Sequence, residues 1–205
     1  MAQSIRQQIV SKIYGRGRGW VFSAKDFAGE FARNGIDAAL FSLAKSDIIR
    51  RILSGLYYYP AYSELLQKFV APDMQQVAKA LARKYNWKIF PEGNTALNYL
   101  GLSTQIPAKY IFISSGHSRK YKIGNMDLEF RHRVLTETMI NNEQAMLAVQ
   151  AIKSMGQVHA DDEFVKSLSK RFSHDEWIKI EKASHKVADW ILSVIKKAKE
   201  IAKNG

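Results

Sequence analysis

Two acidic side chains in the second half of this sequence have the type and spacing of a metal-dependent catalytic site. Asp127 and Glu129 are separated by one residue, and on a β-strand this spacing directs both carboxylates to one face. Paired carboxylates on one face hold the metal ions of two-metal nucleotidyl-transfer and nuclease sites. One alternative for this protein is therefore a nucleic-acid-processing enzyme that uses these two residues.

The residues around the pair depart from a nucleotidyltransferase pattern. Such enzymes carry a Gly-Ser pair before an Asp-x-Asp motif, whereas this chain has Gly116-His117-Ser118 before Asp-x-Glu. Nearby cations can pair with the carboxylates, which predicts a solvated strand face. These cations are Arg119, Lys120, Arg131 and Arg133. We therefore predict no catalytic residues and no enzymatic activity.

Cysteine and histidine provide no predicted metal site. Cysteine is absent, which excludes a disulfide framework and a thiolate zinc site. The histidines lack the His-x-x-x-His and His-Glu-x-x-His spacings of helical metal sites. They are His117, His132, His159, His174 and His185. The sequence predicts neither a metal nor another cofactor.

Positive charge is the strongest bulk signal. The chain has 31 Lys and Arg against 19 Asp and Glu, a formal net charge of +12, which favours an anionic partner. The first 60 positions hold nine basic and four acidic residues. No apolar stretch is long enough to span a bilayer, and the first residues lack the apolar core of a signal peptide. We therefore expect a cytoplasmic protein without a membrane partner.

A helix and a short strand are predicted at the start of the chain. The recurrence of Ile5, Ile9 and Ile13 predicts an amphipathic helix over residues 4–14. Residues 20–22 are apolar and too few for a helix, which predicts a strand.

Two further helices around a glycine-containing turn form a predicted helix-turn-helix. Ser23 caps the first of them, which stops at Asn34-Gly35 because both residues tolerate the left-handed conformation of a helix end. Asp37 caps the other helix, over residues 37–45, which is the third predicted helix of the chain. Its predicted inward side chains are Leu40, Phe41 and Ala44, and its predicted outward side chains are Ala38, Ala39, Ser42 and Lys45.

A two-residue periodicity after Asp47 predicts a β-hairpin over residues 48–59. Helix, strand, helix, turn, helix and hairpin, in this order, form a winged helix-turn-helix, whose third helix enters the major groove of DNA while the hairpin lies along the backbone. We therefore predict that residues 1–60 bind double-stranded DNA. The candidate contacts are Arg16, Arg18, Lys25, Ala38, Ala39, Ser42, Lys45, Arg50, Arg51 and Tyr57.

These candidates divide into phosphate contacts and base contacts. The cations near the ends of the third helix and on the hairpin suit phosphates, as does Tyr57. Small Ala38 and Ala39 let the helix approach the base edges, where Ser42 and Lys45 can hydrogen-bond. The alternative for this domain is a protein-interaction module, since a winged helix serves that purpose too.

Longer elements beyond Pro60 predict a second, mixed domain over residues 61–205. Gly124-Asn125 suits a tight hairpin turn, and the apolar face of the last helix, which carries Trp177, predicts packing against the preceding helices. The whole chain is therefore predicted to be α+β, a winged helix-turn-helix followed by a mixed α/β domain that ends in a helical segment. The predicted helices are 63–69, 72–86, 94–100, 137–155, 161–172 and 175–203, and the predicted strands are 87–90, 109–114, 120–123 and 126–131.

Three stretches together resemble the AbiEi-type antitoxins of type IV, abortive-infection toxin–antitoxin systems. They are Arg-Gly-Arg-Gly-Trp-Val-Phe at 16–22 with Asp26-Phe27, Ile-Arg-Arg-Ile-Leu-Ser-Gly-Leu-Tyr-Tyr-Tyr-Pro at 49–60, and Thr-Ala-Leu-Asn-Tyr-Leu-Gly-Leu-Ser-Thr-Gln-Ile-Pro at 95–107. The resemblance implies an autorepressor of its own operon with an N-terminal winged helix. It also implies a C-terminal domain that counteracts a nucleotidyltransferase-like toxin in phage defence.

The same resemblance implies DNA contacts at Arg16, Arg18, Lys45, Arg50 and Arg51. It marks no individual residue of the C-terminal part as responsible for neutralising the toxin, and it leaves open whether the toxin is bound directly. The oligomeric state, a monomer or a weak dimer with cooperative binding on DNA, is open too. A plain transcription regulator without a toxin partner is the remaining alternative.

Overall fold

Capped helices and short apolar strands build a mixed α+β fold, as predicted. The computed structural model describes residues 4–105, 107–133 and 142–203, and within them the chain forms eight α-helices and nine strands. The chain divides into two compact units, Met1–Trp87 and Lys88–Gly205.

The elements of the N-terminal unit are α1 (Ile5–Arg16), β1 (Val21–Phe22), α2 (Arg33–Lys45), β2 (Arg50–Leu53), β3 (Leu56–Tyr58), β4 (Tyr62–Ser63), β5 (Lys68–Phe69) and α3 (Met74–Tyr85). A short 3₁₀ helix, Ala24–Phe27, follows β1. The first three strands form an antiparallel sheet in the order β1-β3-β2. Strands β2 and β3 form the hairpin predicted over residues 48–59, which is confirmed.

The core of this unit forms where α1 packs on α2 and the sheet. Ser4 and Gln7 make a capping box at the start of α1, which satisfies backbone amides that have no partner within the helix. Ile9 and Ile13 are fully buried and pack with Phe22 of β1. Burial of each such side chain stabilises a fold by about 1.5–3 kcal/mol, so the unit has a hydrophobic core of its own.

The second and third helices differ from the predicted ones. Ser23 caps the four-residue 3₁₀ helix, not an α-helix that continues to Asn34-Gly35. Those two residues lie inside α2, which begins at Arg33. Asp37 is not the cap of this helix, and its carboxylate accepts a 2.7 Å hydrogen bond from Arg33 Nε. The predicted stop was wrong because the preference of Asn and Gly for a helix end is weaker than tertiary packing.

The inward face of α2 is also rotated from the predicted one. Ile36, Leu40 and Leu43 are buried, and their spacing of four and three residues defines one helical stripe. Phe41, predicted to face inward, is 70% exposed, whereas Ala39, predicted to face outward, is only 5% exposed. A helix started at residue 37 leaves out Ile36, and this omission misplaced the predicted stripe.

The N-terminal unit extends beyond residue 60, where the domain boundary was predicted. Helix α3 contacts both β1 and the 3₁₀ helix. Arg83 Nε lies 2.7 Å from Asp26 Oδ1, and Arg83 Nη2 donates to Val21 O at 2.8 Å. Lys84 Nζ donates to Ser54 O at 2.8 Å. These contacts tie α3 to the elements before residue 60, so the unit ends only at residue 87.

A second hairpin replaces the helix predicted over residues 63–69. Tyr62 pairs with Phe69 in an antiparallel β4–β5 ladder. Leu65 and Leu66, at the turn, are 91% and 56% exposed. A short helix needs a packed apolar face to be stable, and exposed leucines do not provide one.

The C-terminal unit combines a four-stranded sheet with helices. Its elements are β6 (Ile89–Pro91), α4 (Asn94–Tyr99), β7 (Lys109–Ser114), β8 (Arg119–Ile123), β9 (Met126–His132), α5 (Glu143–Met155), α6 (Asp162–Ser169), α7 (His174–Ala183) and α8 (Asp189–Lys203). The strand order is β6-β7-β9-β8, with β7 parallel to β9 and the other pairs antiparallel. Gly124-Asn125 joins β8 to β9 in the predicted tight turn, which is confirmed.

The last four helices enclose an apolar core around Trp177. Its ring is fully buried, and its Nε1 donates to Ser169 O at 3.0 Å. The predicted packing of this segment against the preceding helices is confirmed. The helix predicted over 175–203 is two helices, because α7 ends at Ala183, with Ser184 as its C-cap, and α8 begins only at Asp189. Residues 137–141 of another predicted helix lie outside the described residues, and α5 begins at Glu143.

Candidate nucleic-acid interface

The Arg-Gly run after α1 forms a turn that exposes its arginines. Gly17 and Gly19 have φ values of 83° and 89°, a backbone region that glycine enters without steric cost. The Gly19 amide donates to Tyr59 O at 2.7 Å, which fixes the turn against the end of the hairpin. Arg16, the last residue of α1, and Arg18, on the turn, are both exposed.

Both arginines rest on aromatic rings. Arg16 Cζ lies 5.8 Å from the Trp20 ring centroid, and Arg18 Cζ lies 4.9 Å from that of Tyr59. Arg18 Nη1 also donates to Pro60 O at 2.8 Å. A guanidinium has five N–H donors, so each arginine keeps donors for an anionic ligand while its ring contact limits its motion.

The hairpin carries the next pair of cations. Arg50 Cζ lies 4.1 Å from the Phe69 ring centroid. Arg51 is exposed, and its Nε donates to Leu53 O at 3.3 Å while Nη2 donates to Ser54 Oγ at 3.1 Å. The hairpin therefore presents two guanidiniums that are already held by neighbouring groups.

The candidate cations share one electrostatic property. Within the part of the chain that the structure describes, none of the six is within ion-pair distance of a carboxylate. By contrast, Lys12 pairs with Glu30 and Arg33 pairs with Asp37 in the same unit. The six are Arg16, Arg18, Lys25, Lys45, Arg50 and Arg51. Their uncompensated charge creates a positive potential that attracts anions.

The outward face of α2 carries side chains that sequence reasoning partly missed. Asn34, Ala38, Phe41 and Lys45 are exposed, and their spacing of four, three and four residues places them on one stripe. Ala38 and Lys45 were candidates, but Asn34 and Phe41 were not. The signal that would have found them is the buried stripe that includes Ile36, because the exposed stripe lies opposite it.

Three other candidates are placed less favourably for a ligand. Ala39 is buried, so it belongs to the core and not to the exposed face. Ser42 is half-buried, and its Oγ accepts a 3.2 Å hydrogen bond from Arg6 Nε. Tyr57 is half-buried and stacks on Phe22, with ring centroids 6.3 Å apart. Its ring packs against the core of the unit.

The carboxylate pair of the C-terminal unit is surrounded by cations. Asp127 and Glu129 share one face of β9, and Lys122 and Lys120 lie opposite them on β8. Lys109, on the other side of β9, contacts Glu129. These residues line an open pocket of about 340 Å³.

Glu129 is the most strongly perturbed acid of the pocket. Hydrogen bonds from Lys109 and Arg131 lower its pKa from 4.5 to about 2, against the opposing effect of burial. Arg131 Nε lies 3.0 Å from Glu129 Oε1, and Arg131 Nη1 lies 3.2 Å from Glu92 Oε2. A metal ion would have to displace these cations. Among the described residues, no three His, Cys, Asp or Glu side chains cluster as a metal site requires.

None of the described helices is both long and apolar enough to traverse a bilayer. No curated protein matches the chain. Among solved structures, the RV2827C protein from Mycobacterium tuberculosis is similar at 12% identity and a TM-score of 0.44, over 98% of this chain and 78% of that chain. This likeness is too distant to carry an argument about function. A family model described as a family of unknown function, DUF6088, matches residues 8–179, and the chain therefore belongs to the DUF6088 family.

Proposed function

We propose that the N-terminal unit is a winged helix-turn-helix that binds double-stranded DNA. Helix α2 enters the major groove, and the β2–β3 hairpin lies along the flanking backbone. The observation that carries the proposal is the set of six uncompensated cations before, on and after α2. Cations without carboxylate partners are available to phosphates, which supply most of the affinity of a protein for DNA.

The cations and the outward face of α2 have different roles in this proposal. Arg16, Arg18, Arg50 and Arg51 contact phosphates and set the orientation of the unit on the duplex. The exposed stripe of α2 reaches the base edges and carries sequence information.

The biological role that we propose is that of an autorepressing antitoxin acting in the cytoplasm. The resemblance to AbiEi-type antitoxins supports this role, and the match lies in three stretches on both sides of residue 87. In this proposal the N-terminal unit represses the operon, and the C-terminal unit counteracts a nucleotidyltransferase-like toxin.

DNA binding is tested by fluorescence anisotropy of the full chain with two duplexes of equal length. One comes from the region upstream of its own gene, and the other has the same composition in shuffled order. We expect tighter binding to the upstream duplex and a steep loss of affinity with salt for both. If the chain binds neither duplex at low salt, the proposed function of the N-terminal unit is ruled out.

The antitoxin role is tested by co-expression with the product of the neighbouring gene. We expect growth inhibition by that product alone and rescue by this chain. The Asp127→Asn variant should rescue equally, because the exposed Asp127 carboxylate belongs to a charged strand face in this proposal. Failure of the wild-type chain to rescue would leave a DNA-binding regulator without a toxin partner.

A further inference from the structure

We infer that Phe41 and Ala38 recognise the 5-methyl group of thymine in the major groove. The inference rests on the proposed DNA binding and adds the base that α2 reads. Phe41 is 70% exposed, whereas Phe22 and Phe27 of the same unit are buried at 0% and 1% exposure. An exposed phenylalanine ring in the middle of a helix contributes a favourable hydrophobic free energy only when a partner covers it and removes it from water.

The position of Phe41 on α2 suits a groove. It lies on the exposed stripe with Asn34, Ala38 and Lys45, on the opposite side of the helix from buried Leu43. The methyl side chain of Ala38, one turn before Phe41, keeps the stripe low enough for the helix to approach base edges. The B-DNA major groove is wide enough to admit an α-helix.

Thymine is the base whose chemistry fits this stripe. Its C5 methyl is an apolar group that A, G and C do not display in the major groove, and alanine and phenylalanine contact it favourably. Asn34 adds an amide that can accept from adenine N6 and donate to adenine N7. The stripe therefore combines partners for both bases of A·T pairs.

The charge around the stripe favours DNA over a second copy of this chain. Lys45 lies on the stripe, and Arg50 and Arg51 lie on β2, the next strand after α2, all without carboxylate partners among the described residues. Two copies of the chain that met through this surface would bring like charges together. A duplex would instead neutralise these charges while it covers Phe41.

The test compares thymine with deoxyuridine, which lacks the methyl group but keeps the same hydrogen-bonding atoms. A tight-binding duplex is first selected from a randomised pool with the full chain, and its thymines are then replaced one at a time. We expect wild type to lose about fourfold in affinity at each contacted methyl. Phe41→Ala should bind the thymine duplex more weakly and lose the difference between the two bases at the position that the ring contacts.

Leu65→Ala is the matched control, because Leu65 is a 91% exposed apolar residue outside α2. It should bind like wild type and retain the thymine effect. Unchanged thermal midpoints would show that both variants fold. Sequence-selective binding with no effect of deoxyuridine at any position, or a Phe41→Ala variant that keeps every deoxyuridine effect, would overturn the inference but leave DNA binding intact.

Two further outcomes would also overturn the inference. If wild type selects no duplex, the proposed DNA binding fails and the inference fails with it. If Phe41→Ala converts a dimer into a monomer in sedimentation without changing DNA affinity, the ring belongs to a contact between copies.

Discussion

The two units of this protein are both basic, but their candidate sites handle charge differently. Residues 1–87 contain 13 basic and six acidic side chains, and residues 88–205 contain 18 and 13. Around α2, six cations have no carboxylate partner among the described residues. On the sheet of the second unit, Glu129 lies between Lys109 and Arg131. The two candidate sites therefore differ in whether a carboxylate lies beside their cations, and not in the sign of the net charge of their units.

The largest expected effect comes from dividing the chain. Residues 1–87 alone should fold and bind the upstream duplex, whereas residues 88–205 should not bind it. Residues 1–60 should fail to fold, because the fragment lacks α3 and leaves Asp26 without Arg83. Thermal unfolding tests whether each fragment folds. Fluorescence anisotropy of the folded fragments then measures their affinity for the duplex. A cooperative transition and full affinity in residues 1–60, or DNA affinity in residues 88–205, would contradict the division of roles.

The next effect compares two double variants that remove the same charge. Arg50→Ala with Arg51→Ala should weaken binding to every duplex and reduce the log–log salt slope from about −4 or −5 by up to about two units. Lys109→Ala with Arg131→Ala should leave the slope unchanged, because these cations are already paired with Glu129. The slopes are read from anisotropy titrations over a range of salt concentrations. Equal losses in both variants would show that only net charge matters.

Glu129 should make stability depend on pH. Its pKa is about 2 in the folded chain and 4.5 ordinarily, so its contribution is present in full above pH 4.5 and is lost as the pH falls toward 2. The full pKa difference corresponds to about 3 kcal/mol in the free energy of unfolding, and solvent screening of Lys109 and Arg131, which are 40% exposed, keeps the contribution below that value. Urea denaturation of wild type and Glu129→Gln from pH 7 to pH 2 measures it, with Asp127→Asn as the control. If Glu129→Gln loses as much unfolding free energy as wild type between pH 7 and pH 2, the ion pairs of Glu129 are not the source of the pH dependence.

The smallest effect concerns two single lysines of the N-terminal unit. Lys25 is exposed without a carboxylate partner among the described residues, whereas Lys12 pairs with Glu30. Lys25→Ala should reduce the salt slope by about 0.9, the value for one phosphate. Lys12→Ala should change it less. A larger change in the salt slope for Lys12→Ala than for Lys25→Ala would place the DNA on the face of the unit that carries Lys12.

Signals confined to a few neighbouring residues were readable from the sequence. Ser23 caps a helical turn with Asp26, and Gly124-Asn125 forms the tight turn between β8 and β9. In each case the side chain or backbone preference acts within three residues, so no distant contact is needed to decide the outcome.

Features that depend on distant packing were not readable in the same way. The start of α2 at Arg33 and the exposure of Phe41 follow from how Ile36 packs in the core. The placement of α3 in the first unit depends on the contact of Arg83 with Asp26, 57 positions away in sequence. The pairing of Glu129 with Lys109 likewise depends on the parallel register of β7 and β9.

The Arg-Gly turn after α1 also affects the thermodynamics of the proposed DNA binding. Free arginine side chains lose substantial rotamer entropy when they are fixed on a ligand. The Arg18 guanidinium already lies over the Tyr59 ring and donates to Pro60 O, and the Arg16 guanidinium lies over the Trp20 ring. Part of the ordering of these arginines therefore occurs during folding. In the proposed complex, phosphate contacts of these arginines would therefore carry a smaller entropic penalty than those of unsupported arginines.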